Sequence, residues 1–119
     1  MSGEVNKALV RRFVEAHPKG DLDALRELLA PDFVDHRPIL VRERGREGYI
    51  RAVAERNAAF SDIRFDIEDQ MAAEGNRVVS RLTIRLTHDR GEIGGFAPTN
   101  KEYASTVIVI HRIEGDKIV

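Results

Sequence analysis

Four histidines and no cysteine set the reactive inventory of this 119-residue chain. Imidazole changes charge near neutral pH without any perturbation, so these four positions are the natural places to look for proton transfer. His17 stands before Pro18 between two helical patterns and reads as a solvated loop residue. His88 stands beside Asp89 and Arg90 at a strand end, where a surface position is the favoured reading, although loop ends also carry function. His36 closes the short apolar run Asp32 to His36. It is either a pocket residue or a partly buried group bonded to a backbone carbonyl. His111 follows the β-branched run Thr106 to Ile110. Burial there would lower its pKa and suit it as a neutral base or a hydrogen-bond donor. A core histidine satisfied by a cross-strand neighbour is the equal alternative. His36 and His111 are the catalytic candidates. Adjacent strand residues point to opposite faces, so Asp35 is not expected to orient His36 as in a hydrolase dyad.

Other chemistries fit less well. Without cysteine there is no thiolate nucleophile and no thiolate metal site. No H-x-H, no H-E-x-x-H and no histidine–carboxylate pair at ligand spacing is present, so a metal is not expected. Ser80 and Ser105 lie in the middle of strand patterns, without the setting of a nucleophile elbow. The segment Gly91-Glu92-Ile93-Gly94-Gly95 is not placed between a strand and a helix, so it is not a phosphate loop. It reads either as a flexible lip, with Phe96 and Pro98 able to close over an apolar ligand, or as an ordinary bulged strand connection. Nineteen basic and twenty acidic residues give a net charge of −1. That balance argues against a nucleic-acid partner, which usually calls for a basic excess. No apolar run approaches a membrane span, and MSGEVNKALVRR lacks a signal-peptide core, so no membrane partner and a cytoplasmic location are expected.

The elements that position these groups follow from periodicity. Val5, Leu9, Phe13 and Ala16 recur at helical spacing over residues 4–16, and His17-Pro18-Lys19-Gly20 ends that helix. Asp21 is a suitable N-cap for a second helix over 22–29, which Pro31 stops. Residues 32–36, bounded by Pro31 and Pro38, read as a short strand, and 39–44 as a loop over one end of the core. A third helix spans 45–60, with Tyr49, Ile50, Val53 and Phe60 on one face. From Ser61 the period becomes two. Ile63, Phe65, Ile67 and Asp69 form one strand face. After the turn Glu74-Gly75-Asn76, the set Val78, Ser80, Leu82, Ile84 and Leu86 should face the helices. A long strand runs from Lys101 to Ile113, with Tyr103, Ser105, Val107, Val109 and His111 on one face. Gly115 suits a tight turn into a return strand from Lys117. Helices first and antiparallel hairpins after argue for one α+β domain over residues 1–119.

Three segments carry a family resemblance. GEIGGFAPTNK resembles the G-x-F-x-G-x-x-P-T-G-K loop of the SnoaL-like polyketide cyclases of the nuclear-transport-factor-like superfamily. HRIEGDKIV resembles the F-R-I-x-D-G-K-I-V that follows it, and DFVDHRP resembles the family's short Asp-His segment near the N-terminus. Asn100 stands where the family usually has glycine, and asparagine is the next best residue for a left-handed turn position. Gly115-Asp116 inverts the usual Asp-Gly, and His111 replaces a frequent aromatic.

The resemblance implies a cone: a curved antiparallel sheet packed on three N-terminal helices, with a pocket inside. Phe13, Phe33, Tyr49, Val53, Phe60, Leu82, Phe96, Tyr103, Val107 and Val109 are then the expected substrate-binding residues. Such a pocket suits a small hydrophobic carbonyl compound and proton transfer α to its carbonyl. The resembled cyclases close a polyketide ring by intramolecular aldol chemistry without a cofactor. Their acid/base aspartate follows on the last strand, beyond the position of Val119, so the expectation is a sheet completed outside this chain and more stable when extended. A non-catalytic ligand-binding or dimerisation module of the same fold is the alternative. A homodimer is expected through the outer sheet face, where Val79, Thr83, Ile108 and Ile110 would leave apolar area in water.

Overall fold

The computed structural model describes residues 3–36 and 45–119. Helix α1 (Gly3–Lys19) precedes α2 (Leu22–Leu28) and α3 (Arg46–Ala59). Four strands follow: β1 (Phe60–Ala73), β2 (Arg77–His88), β3 (Glu102–Glu114) and β4 (Lys117–Ile118). They form one antiparallel sheet in sequence order, β1-β2-β3-β4. The α+β order and the three helices agree with the sequence reading. The expected loop over 39–44, and Pro38 before it, lie outside the described residues.

Alternation along β2 places Val78, Ser80 and Leu82 in the core, as its period-two pattern requires. In β3, Val107, Val109, His111 and Ile113 share the inner face, registered opposite Leu82, Ser80, Val78 and the turn. Strand β1 is less regular. Register shifts fall between Ser61 and Arg64 and between Ile67 and Asp69, and Asp62 takes φ 49°. Such bulges bend a strand and curve the sheet over its packed face. The second one also changes which side chains point inward. Asp69 is exposed, and Gln70 turns in to donate to the Lys7 carbonyl (3.3 Å) and Ser80 Oγ (3.4 Å).

Turn chemistry behaves as the residue types dictate. Gly75 and Asn76 both take positive φ (72° and 54°), Gly115 takes 63°, and Asn100 takes 59°, the conformation in which it replaces glycine. Asp21 caps α2 by accepting from the Ala24 N–H at 3.1 Å.

Further expectations change. The third helix stops at Ala59, so Phe60, expected on its inner face, opens β1 instead. Helix α1 runs on to Lys19, and Asn6 rather than Val5 occupies its buried stripe. The helix closes in a Schellman motif: Gly20 at φ 66° donates to the His17 carbonyl, and Asp21 donates to Ala16, both at 3.1 Å. Pro18 is accommodated because it stands in this last turn. The expected strand over 32–36 does not form. Among the described residues its neighbourhood pairs with β4 only at Leu29–Ile118 and through Ala30 N–H to Ile118 O (2.8 Å), and Pro31 then withholds the next donor. Leu25, Leu29, Ile113 and Ile118 are fully buried where α2, β3 and β4 meet, which closes one end of the core.

Candidate active site

Phe13 sits at the centre of an aromatic group between α1, α3 and the sheet. Its ring lies 4.7 Å from His17 and 5.3 Å from His111, both edge-on, and 5.8 Å from Tyr49, stacked. Phe33 meets Tyr49 edge-on at 5.4 Å, and His17 stacks on Phe65 at 5.2 Å. Val53 and Leu82 belong to the same buried cluster, and Val107 and Val109 pack against it.

His17 is the polar member that the sequence reading placed in solvent. It is buried because the longer α1 keeps it on the inner stripe, four residues after Phe13. Its Nδ1 donates to the Phe13 carbonyl (2.8 Å), and the Tyr49 hydroxyl donates to its Nε2 (2.6 Å). Asn57 Nδ2 (3.0 Å) and Arg56 Nη2 (3.5 Å) donate to the His17 carbonyl, and Arg56 also lies 4.9 Å over the Phe65 ring. Desolvation by burial, aided by the Arg56 charge, lowers the His17 pKa to about 4. The Phe13 and Val14 carbonyls oppose that shift, and Val14 O receives no N–H from Pro18. Burial also pushes the Tyr49 hydroxyl well above its ordinary range.

His111 joins the same aromatic group from β3. Its Nδ1 is shielded from solvent and has no hydrogen-bond partner among the described residues. Desolvation lowers its pKa to about 4, and the Asp35 carboxylate opposes that shift. Asp35 acts on Tyr49 as well, so its charge is felt by both groups. His36 is exposed, while Asp35 is half-buried. Asn6 Oδ1 is a second buried atom without a partner among the described residues.

The expected binding residues divide into two groups. Phe13, Phe33, Tyr49, Val53, Leu82, Val107 and Val109 join the interior cluster. Phe60, Phe96 and Tyr103 line an open hollow of about 270 Å³ with Leu86, His88, Ile93 and Thr99. Phe96 is 73% exposed there, on a tight turn closed by paired Ile93–Phe96 backbone bonds of 3.0 Å. His88 is buried, contrary to its surface reading. Its Nε2 donates to Gly91 O (2.7 Å), its ring stacks on Phe60 at 4.8 Å, and its backbone bonds Lys101 and Asn100. It therefore anchors the loop 89–100. The residues missed from sequence were His17 and Arg56. For His17 the signal was available in its spacing from Phe13. Among the described residues no three His, Cys, Asp or Glu side chains cluster to hold a metal ion, and no helix is long and apolar enough to cross a membrane.

A family model described as SnoaL-like polyketide cyclase matches residues 7–119. Among solved structures, IdmH, a putative polyketide cyclase from Streptomyces antibioticus, is 30% identical with a TM-score of 0.80, covering 96% of this chain and 86% of that one. A putative polyketide cyclase from Acidithiobacillus ferrooxidans is 28% identical, TM-score 0.77, over 96% and 82% of the two chains. TsrD from Streptomyces laurentii shares the fold at 24% identity and TM-score 0.84, over 99% and 85%. A search of curated proteins finds no match.

Burial of His17 makes the fold acid-sensitive. Its folded-state pKa lies near 4, below the ordinary 6.5, so protonation favours the unfolded chain. Its stabilising contribution is full above pH 6.5, shrinks as pH falls, and is lost below about 4. The cost reaches on the order of 3 kcal/mol at pH 4. His111 acts in the same direction. Urea midpoints should fall steeply between pH 7 and 4.5, and His17→Leu should flatten that fall. An unchanged slope in the variant would contradict the assignment.

Proposed function

The chain belongs to the SnoaL-like polyketide cyclase family, and on that premise we propose a cofactor-independent acid/base enzyme acting on a hydrophobic carbonyl compound, with intramolecular aldol ring closure as its reaction. The observation that carries this reading is His111 Nδ1, a shielded ring nitrogen without a partner among the described residues, set against Phe13. A neutral imidazole there takes a proton from the carbon α to a carbonyl. The Asp35 carboxylate favours the imidazolium so formed. The enolate then attacks a second carbonyl of the same molecule, a carbon–carbon bond forms, and the imidazolium returns its proton to the new alkoxide. The apolar walls hold the chain folded on itself, which supplies proximity. Phe60, Phe96 and Tyr103 take the distal part of an extended ligand in the outer hollow. His36, exposed, has no part in this scheme.

One observation favours a second reading, a module that binds the same ligands without turnover: a histidine with a pKa of about 4 is a weak base. His111→Phe separates the two, since phenylalanine preserves the ring packing. Turnover of an aromatic polyketide, or of a ketosteroid surrogate, should drop by roughly 10²-fold or more in the variant while ligand affinity holds. Undiminished turnover would place the base elsewhere. Wild-type binding without turnover would establish the second reading.

We also propose a homodimer. On the outer sheet face Ile108 and Ile110 are 67% and 63% exposed, and Ile110 is registered opposite Val79. Ile108 is registered opposite Arg81, and exposed apolar side chains of this kind rimmed by charge are a usual mark of an interface. Sedimentation equilibrium should give a dimer at micromolar concentration, and Ile108→Glu with Ile110→Glu should give a monomer. A monomeric wild type would overturn the proposal.

A further inference from the structure

Strand β3 carries an unprotected edge. Strand β4 pairs with it only at Ile113 and Glu114, and the Val119 N–H then closes the lane on the Arg112 carbonyl at 3.0 Å. Among the described residues nothing pairs with that side of β3 from Glu102 to His111. The N–H and C=O of a strand residue point to the same side, and the side alternates along the chain. The Arg112 carbonyl points toward β4, while the Ile113 N–H bonds the Asn76 carbonyl on the β2 side (2.9 Å). By that alternation Glu102, Ala104, Thr106, Ile108 and Ile110 aim both backbone groups at the free edge. At the other side of the sheet, β1 guards its edge with two register shifts and with Arg64, Asp66, Glu68 and Asp69. Residues 103–110 of β3 hold no charge, no proline and no glycine. Ala104, Ser105, Thr106, Ile108 and Ile110 are all exposed. An edge of this kind is a template for another strand.

We propose that two copies of this chain pair through the β3 edge, antiparallel about a twofold axis at Thr106, so that one continuous sheet runs across the dimer. The proposal rests on the homodimer reading above and supplies its seam. A second copy is the occupant because the edge is self-complementary. The free lane of edgewise groups runs from Glu102 to Ile110, and Thr106 is its midpoint. Pairing centred there satisfies all of them with the same groups of the partner, and it keeps inner face beside inner face. A shift of two residues toward β4 would drive the partner against Val119. Thr106 meets the partner's Thr106, a favourable cross-strand pair, and Ala104 meets the partner's Ile108, small against large. Glu102 falls diagonal to the partner's Arg112, opposite in charge. On the inner face the partner's Tyr103 comes opposite Val109 and diagonal to His111, within the reach of an aromatic ring. Each copy therefore contributes a side chain beside the other's proposed base.

The test combines sedimentation equilibrium with amide hydrogen exchange on the 119-residue chain. Where the chain is dimeric, the amides of Ala104, Thr106, Ile108 and Ile110 should exchange at least about tenfold more slowly than after dilution to monomer. Thr106→Pro removes one edgewise N–H and no bond within the sheet, so it should give a folded monomer. Thr106→Cys, in a chain with no other cysteine, should oxidise to a covalent dimer, because hydrogen-bonded residues directly opposed across an antiparallel pair lie within disulfide reach. A dimer whose four amides exchange as freely as in the monomer overturns the edge pairing and leaves the homodimer standing, and so does a Thr106→Pro variant that stays dimeric. Protected amides without a Thr106→Cys disulfide overturn the register, and with it the place of Tyr103 beside His111. A monomeric wild type overturns both the seam and the homodimer.

Discussion

The hydrogen bond from Tyr49 to His17 is the constraint around which the interior is arranged. Two polar side chains from different helices, α1 and α3, meet inside an aromatic cluster. Neither could be left there alone, because a buried polar group without a partner costs more than a typical hydrogen bond returns. Together they satisfy each other, and the Phe13 carbonyl satisfies the remaining ring nitrogen. The helices are thereby held at one separation and one rotation. Asn57 and Arg56 of α3 add a second tie, to the His17 carbonyl at the end of α1.

The rest of the molecule supports that arrangement. The Schellman ending of α1 keeps His17 helical, and so on the face that Phe13 occupies. Bulges in β1 curve the sheet toward the helices and bring Phe65 against the His17 ring. Buried Leu29 and Ile118 close one end of the core. At the other end His88 stacks on Phe60 and pins the loop that carries Phe96. His111 stands between these supports with a ring nitrogen that the described residues do not satisfy, and that contrast with His17 makes it the proposed base.

Much of the fold was legible in the residues because it depends on local rules. The period of two in β2 and β3 predicts which side chains face the helices. The turn residues Gly75, Asn100 and Gly115 take the left-handed conformations their types favour. What was not legible depends on distant partners. Pro18 marks a helix end in sequence and so hides the four-residue spacing of His17 from Phe13, yet a proline in the last turn is tolerated, and those few extra residues carry His17 from solvent into the core. The run Asp32 to His36 has a strand's composition, yet among the described residues the pairing with β4 ends at Leu29 and Ala30. Asp69 follows the alternation of β1 only until a bulge replaces it with Gln70. Of the expected binding residues, Phe60, Phe96 and Tyr103 share a composition with the interior set but line an outer hollow rather than the packed cluster, a distinction that periodicity alone does not contain.

The coupling between His17 and Tyr49 is directly measurable by a double-mutant cycle on stability, using His17→Leu, Tyr49→Phe and the double variant in urea unfolding at neutral pH. An interaction energy of about 1 kcal/mol or more is the predicted result. Effects that add to within roughly 0.3 kcal/mol would contradict the account, because two residues joined by the bond that positions both helices cannot act independently.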